Sequence, residues 1–253
     1  MAVVNAPHPA ASPSIPRRRA LDTRAAYVVS AYPAISHAFI QREVRALRAL
    51  GATINVFSVH EAPPSDLLST ADTEEAETTS AILPIRPADL LRAHARAFLR
   101  APLGYVSTLR FALSQAPRGA RARLWQLFYF AEAVVLWARC SDRDLRHLHA
   151  HLANVGADVA WLAAHFGRMA DRRGTWHWSF TMHGCVEFWN VDRFNLARKV
   201  AAADLVICIS EYTRAQLMAL CDPAHWSKLH VVHCGVELDR YQPQSGSPTC
   251  LPR

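Results

Sequence analysis

Thirteen histidines are distributed over the 253 residues, and several stand where chemistry would need them. His147, His149 and His151 alternate in the run LRHLHAH, so on a strand all three face one side. That is the geometry of a metal-binding pair or trio. It is equally the pattern of ordinary strand residues with His151 at the strand's end, and no neighbouring carboxylate cluster completes a site. His183 directly follows SFTM and precedes Gly184, whose missing Cβ lets a ligand approach the backbone; a hydrogen-bonded loop histidine is the plainer alternative. Ser210 ends an apolar run and opens a helix. Its hydroxyl and the first free N–H groups form an anion-friendly terminus, or a simple N-cap. Ser36, after Pro33, has the same double reading.

Other chemistries are excluded by what is missing. No G-x-G-x-x-G and no G-x-x-x-x-G-K-[ST] occurs, which argues against a dinucleotide enzyme of the usual type and against a P-loop nucleotidase. Ser-His-Asp order, a nucleophile elbow and zinc-knuckle spacing are also absent.

The elements that must position these residues follow from hydrophobic periodicity. AAYVVS, residues 25–30, reads as a strand. Ser36 caps a helix to about Leu50, with Ile40, Val44 and Leu47 on one face and Gly51 at its stop. TINVFSV, residues 53–59, is the next strand, with Ile54, Val56 and Ser58 on one side. The acidic stretch 61–80 reads as a polar loop or short helix. Helical character fills 88–139, broken near Pro102 and near Pro117-Arg118-Gly119. A strand ending at His151, a helix through Val155, Val159, Leu162 and Phe166, and a strand WHWSFT follow. A helix over 192–203, a buried strand Leu205–Ile209, a helix to Leu220 and a last strand Leu229–Val232 complete the set. This alternation predicts one doubly wound α/β domain over residues 25–235 with a mostly parallel sheet. Ligands of such sheets sit at the carboxyl ends of the strands. Of the six strand-end loops predicted here, four begin at or contain a histidine.

Composition fits a globular domain: 51% hydrophobic, 19% charged, net charge +7. The charge is uneven. Eleven arginines stand between Arg86 and Arg146 against Asp89, Glu132, Asp142 and Asp144, whereas Glu61–Glu77 holds six acids and no base. The segment 86–146 therefore reads either as a footprint for an anionic surface or as a solvated helix surface. LWQLFYFAEAVVLWA, residues 124–138, is fifteen residues long and carries Gln126 and Glu132, too short and too polar to span a bilayer. It reads as a buried or interfacial helix, and its aromatics as buried rather than arrayed for base stacking, which disfavours nucleic acid. Residues 1–24 contain four prolines and Arg17-Arg18-Arg19 but no apolar core, so they read as a disordered lead rather than a secretory signal. The cysteines, 140, 185, 208, 221, 234 and 250, form no C-x-x-C and read as small hydrophobes in a reducing, cytoplasmic setting.

YVVSAYPAISHAFIQREVRALRALGATINVFSV, residues 27–59, resembles the opening of family-4 glycosyltransferases, most like those that build colanic-acid-type exopolysaccharides. Pro33, Ser36, Phe39, Glu43 and Leu47 carry the match. LHAHLANVGADVAWLAAHF, SFTMHG, AAADLVICISEYTRAQL and LHVVHCGVELDRY continue it in the family's order. The resemblance implies a retaining GT-B enzyme of two Rossmann-like domains, with this chain supplying the acceptor-side N-terminal half. It implies no cofactor and no bound metal. It matches His183 to the active-site histidine and places Ser36, His151, Gly184, Ser210, Glu211 and Arg214 along the substrate cleft. It aligns Gly235 and Glu237 with the donor-side hinge. The donor domain that would grip a nucleotide sugar is expected beyond residues 236–253, which read as a linker remnant, so the chain alone is expected to be catalytically incomplete. The implied partners are a nucleotide-sugar donor, a glycan or lipid-linked acceptor and, through 86–146, an anionic membrane at the inner face of the cell. Two rival readings remain: a non-catalytic module that binds glycolipid, and a metal hydrolase using His147, His149 and His151.

Overall fold

A computed structural model describes residues 23–117, 119–171, 175–184 and 186–236. The predicted lead therefore lies outside the described residues up to position 22, as do Glu237, Cys185, Cys250 and the tail.

Among the described residues seven strands form one all-parallel sheet in the order β3-β2-β1-β4-β5-β6-β7. They are β1 (Arg24–Ala31), β2 (Thr53–His60), β3 (Ser80–Leu83), β4 (His147–His151), β5 (His177–Met182), β6 (Leu205–Cys208) and β7 (Leu229–Val231). The helices are α1 (Ala38–Ala49), α2 (Thr70–Thr78), α3 (Pro87–Arg100), α4 (Pro102–Ser114), α5 (Ala120–Asp142), α6 (Val155–Ala170), α7 (Val186–Trp189), α8 (Leu196–Ala202) and α9 (Glu211–Leu220). The fold is thus α/β and Rossmann-like, as the alternation predicted, with every strand parallel rather than most of them.

The pleat sorts residues between two faces. On β1, Tyr27 and Val29 join Tyr32, Ile40, Val44 and Val56 in a small core under α1. Ala26 and Val28 enter the larger core formed with α5, α6, α8 and α9. The alternation HLHAH on β4 does the same. Leu148 and Ala150 point into the large core, while His149 and His151 turn to the other face, where their rings lie 4.9 and 5.1 Å from Tyr27. On the large-core side Trp161 stacks on Trp178 at 5.7 Å, and Trp137 meets Phe166 edge-on at 4.7 Å. Gly156, in the first turn of α6, lets that helix touch β1: a Cβ there would stand 3.1 Å from Ser30 N and Val29 C.

Several sequence expectations are corrected. β3 was not anticipated: it starts at Ser80, the last residue of the stretch read as loop or short helix, and runs on to Leu83. Ser36 does not cap α1: it sits exposed in a 3-10 turn, Ile35–His37, that precedes the helix, and no side chain caps either. The helix expected over 192–203 begins only at Leu196, because Asn195 adopts a left-handed conformation at φ 49°. Ser58 is buried as expected, but so are Phe57 and Val59, because this interior strand is covered on both faces.

The long apolar run is divided. Phe130 and 133–138 are buried, but Leu124, Trp125, Leu127 and Phe128 are exposed, so its aromatics are not all core. The arginines of 86–146 divide too. Arg139 donates to Ala81 O, Arg143 lies over the Phe57 ring, Arg146 lies over Trp176 and pairs with Asp171, and Arg96 pairs with Asp142. Arg100, Arg110, Arg121 and Arg123 remain exposed on α3–α5. Among the described residues no helix is long and apolar enough to cross a membrane. The described cysteines 140, 208, 221 and 234 are free.

Candidate active site

Chain order reverses between β1 and β4: β1 leads on to β2 and β3 on one side, and β4 leads on to β5, β6 and β7 on the other. A crevice opens at the carboxyl ends of strands at such a point. Ser30, near the end of β1, hydrogen-bonds across it to Asn154, its Oγ 2.6 Å from Oδ1. The N–H of Gly156 donates to Ser30 Oγ at 3.0 Å. Asn154 is also the N-cap of α6. The first free donors of that helix are thereby partly satisfied by the protein itself.

His151 ends β4 fully buried, and Leu152 turns the chain sharply away at φ 69°, a conformation that L-residues with a Cβ adopt at a cost of roughly 1 kcal/mol. His183, just beyond β5, meets it: His151 Nδ1 lies 3.0 Å from His183 Nε2. Behind this pair stands Glu43 of α1. Its Oε1 accepts from the Tyr27 hydroxyl at 2.7 Å and lies 3.7 Å from His151 Nε2. Phe39 packs against the His183 ring at 4.2 Å. Cys234, where the chain returns after β7, brings its Sγ to 3.9 Å from His183 Nδ1.

Burial sets the charge states. It pushes His183 down to about 4 and His149 down to about 3, and holds His151 well below the usual imidazole range. The neighbouring imidazoles push in the same direction. All three are neutral near pH 7. Burial raises the Glu43 carboxyl, and the Tyr27 hydrogen bond works against that rise.

The trio on β4 does face one side, and the structure supplies a carboxylate that the sequence did not. Ligand atoms of Glu43, His149 and His151 all lie within 4.8 Å of one another. Yet both nitrogens of His149 are already engaged, Nδ1 with Ser179 Oγ at 2.8 Å and Nε2 with Thr181 Oγ1 at 2.9 Å, and His147 Nε2 reaches the same Ser179 at 2.7 Å. His147 and His149 are thus tied to Ser179 and Thr181, while His151 Nε2 is left facing Glu43.

The expected site residues are distributed unequally around this centre. His183 and His151 are in direct contact. Gly184 follows His183, with space for a Cβ only up to Glu187 Oε2 at 3.5 Å. Ser210 caps α9, its Oγ accepting from Thr213 N at 3.2 Å, and Arg214 pairs with Glu211 at 3.4 Å. These three stand at the end of β6, next to β5 on the same rim. Gly235 lies in the open, and Ser36 points to solvent. Glu43, Tyr27 and Phe39 were missed as site residues. No local signal marks Glu43, whose place depends on α1 covering the face to which β4 turns its histidines.

The comparisons with known proteins bear on this crevice as a whole. No curated protein matches the chain. The model of Glycosyltransferase Family 4 matches residues 37–240, most of the chain, from the turn before α1 past β7. The span takes in Phe39, Glu43, His151, His183, Ser210 and Cys234, and on that match the chain belongs to glycosyltransferase family 4.

Proposed function

We propose that this chain is the acceptor-side half of a retaining GT-B transferase, which moves a sugar from a nucleotide-sugar donor to a glycan or lipid-linked acceptor in exopolysaccharide assembly. The observation that carries the reading is the family match over residues 37–240 taken with the crevice at the β1/β4 switch, where a neutral His183 stands at the open rim. His183 is the group set to touch the reacting sugar. Gly184, Ser210, Glu211 and Arg214 line the same rim, Ser36 stands exposed on the turn after β1, and Gly235 leads on to the donor side. Positioning and fixed charge supply most of the acceleration in group transfer of this kind. The described crevice offers a single wall and no cluster of cations for two phosphates. By itself it is suited to hold an acceptor without transferring to it.

The partner surface follows from α3–α5. Leu99, Leu103, Leu124, Trp125 and Phe128 are exposed there beside Arg100, Arg110, Arg121 and Arg123. Apolar side chains flanked by arginine suit a helix face lying on an anionic bilayer, which would bring a lipid-linked acceptor to the rim from the inner face of the cell membrane.

Hydrogen-exchange mapping with a soluble polyprenyl-phosphate glycan tests the acceptor reading. Protection is expected at residues 36–39, 151–154 and 183–184. Protection confined to other surfaces, or none at saturating ligand, would count against it.

A further inference from the structure

We infer that Glu43 and His151 are positioning residues that fix where His183 carries its proton: on Nε2, leaving Nδ1 as a bare acceptor at the rim. The inference rests on His183 being the working histidine, but its test does not.

The argument counts protons through three contacts. Tyr27 donates its hydroxyl to Glu43 Oε1 at 2.7 Å, which leaves that carboxylate able to accept again. His151 Nε2 faces the same oxygen at 3.7 Å, is buried, and has no other partner. A proton on this nitrogen points at a carboxylate. A lone pair there would point at a second set of lone pairs, which is unfavourable in a buried setting. A neutral imidazole carries one N–H. With that proton on Nε2, His151 Nδ1 is an acceptor. The 3.0 Å contact to His183 then requires that His183 Nε2 donate. His183 is neutral too, so its Nδ1 is unprotonated.

The ring is kept in this orientation by Phe39, centroid to centroid 4.2 Å, and Nδ1 looks outward toward Cys234 Sγ at 3.9 Å. The consequence is a restriction on the ligand group. Nδ1 accepts from a hydroxyl or N–H of the substrate; it cannot donate to a phosphate oxygen. Of the groups on a nucleotide sugar and a glycan, it therefore selects a hydroxyl or an N–H over a phosphate oxygen. Nothing in the sequence pairs Glu43 with His183, which are separated by the whole of β2 to β5.

Long-range proton–nitrogen correlation spectra of the 253-residue protein at pH 7.5, in chelator, read the tautomer directly. His183 is assigned by the signals lost in His183→Gln. The expected result is Nε2 of His183 in the protonated range and Nδ1 in the bare range, with the same pattern for His151. In Glu43→Leu no acceptor faces His151 Nε2, so both rings lose their fixed tautomer and the Nδ1 and Nε2 shifts of each converge. Protonated Nδ1 on His183 in the parent protein overturns the inference without reference to any variant, so a variant that failed to fold would not rescue it. An unchanged His183 pattern in folded Glu43→Leu overturns it as well. So does a Zn2+ titration that binds stoichiometrically and moves the His149 and His151 signals, since the same groups would then be metal ligands. Absence of sugar transfer would leave the spectra untouched, and so bears only on the function proposed above.

Discussion

Lys199 Nζ and Asp158 Oδ1 meet at 2.9 Å inside the fold, and Lys199 is wholly buried. The same ammonium donates to Ala153 O at 2.7 Å, so α8 is tied to the loop that follows His151. Burial raises the Asp158 carboxyl while the lysine works against that rise.

Breaking this pair leaves one buried charge uncompensated. Lys199→Met is expected to cost about 3–5 kcal/mol in urea unfolding, and the double variant Lys199→Met/Asp158→Leu should recover most of it. A loss below about 1 kcal/mol in the single variant would show that Asp158 finds another partner or reaches water.

Glu132, on the buried stretch of α5, gives a pH signature. Burial pushes its carboxyl up to about 7, and its Oε2 has no hydrogen-bond partner. The folded state therefore keeps a proton that the unfolded chain loses at its ordinary value near 4.5. Its contribution is fully present below that value and is lost as pH rises through 7. Glu132→Gln should equal the parent at pH 4.5 and exceed it in stability by about 3 kcal/mol at pH 8. Parallel stability curves for the two proteins between pH 4.5 and 8 would contradict this assignment.

A Cβ on Gly167 would run into the ring of Trp176, which is fully buried beneath Arg146. Gly167→Ala is expected to destabilise by about 1–3 kcal/mol through overpacking. It should also shift tryptophan fluorescence, and a neutral effect on both would mean that the ring relocates at little cost.

Membrane docking can be separated into its two components. Reversing Arg100 and Arg110 to Glu should weaken binding to phosphatidylglycerol vesicles by about 30-fold or more, at about 1 kcal/mol for each arginine lost. Leu103→Asn with Trp125→Ser should weaken it at high salt as well as low. Equal sedimentation with neutral and anionic vesicles would remove the membrane from the account.

Much of the fold could be read from the chain because each strand is a short apolar run closed by a turn, and each long helix carries a repeating apolar face. β3 escaped because SAIL is four residues long and follows the acidic α2 after a single residue, Thr79. Ser36 was misread because a hydroxyl before an apolar helix has the same appearance whether it caps the helix or rides on a 3-10 turn. His183 and His151 were recognisable, since both stand at strand ends. Glu43 was not, because its role depends on α1 crossing the sheet face onto which β4 turns its histidines, a relation of tertiary structure with no local signal. The exposed half of α5 was hidden by composition: Leu124–Phe128 is as apolar as the core that follows, and only packing distinguishes them.

The most direct measurement is sugar transfer by this domain joined in cis to a family-4 donor domain. It is read as the mass gained by a polyprenyl-linked acceptor over a panel of nucleotide sugars. The account predicts gain of a single sugar from a particular donor, and a fall of about 100-fold or more in His183→Ala with the acceptor still bound. No gain with any donor, or undiminished transfer by His183→Ala, would contradict it.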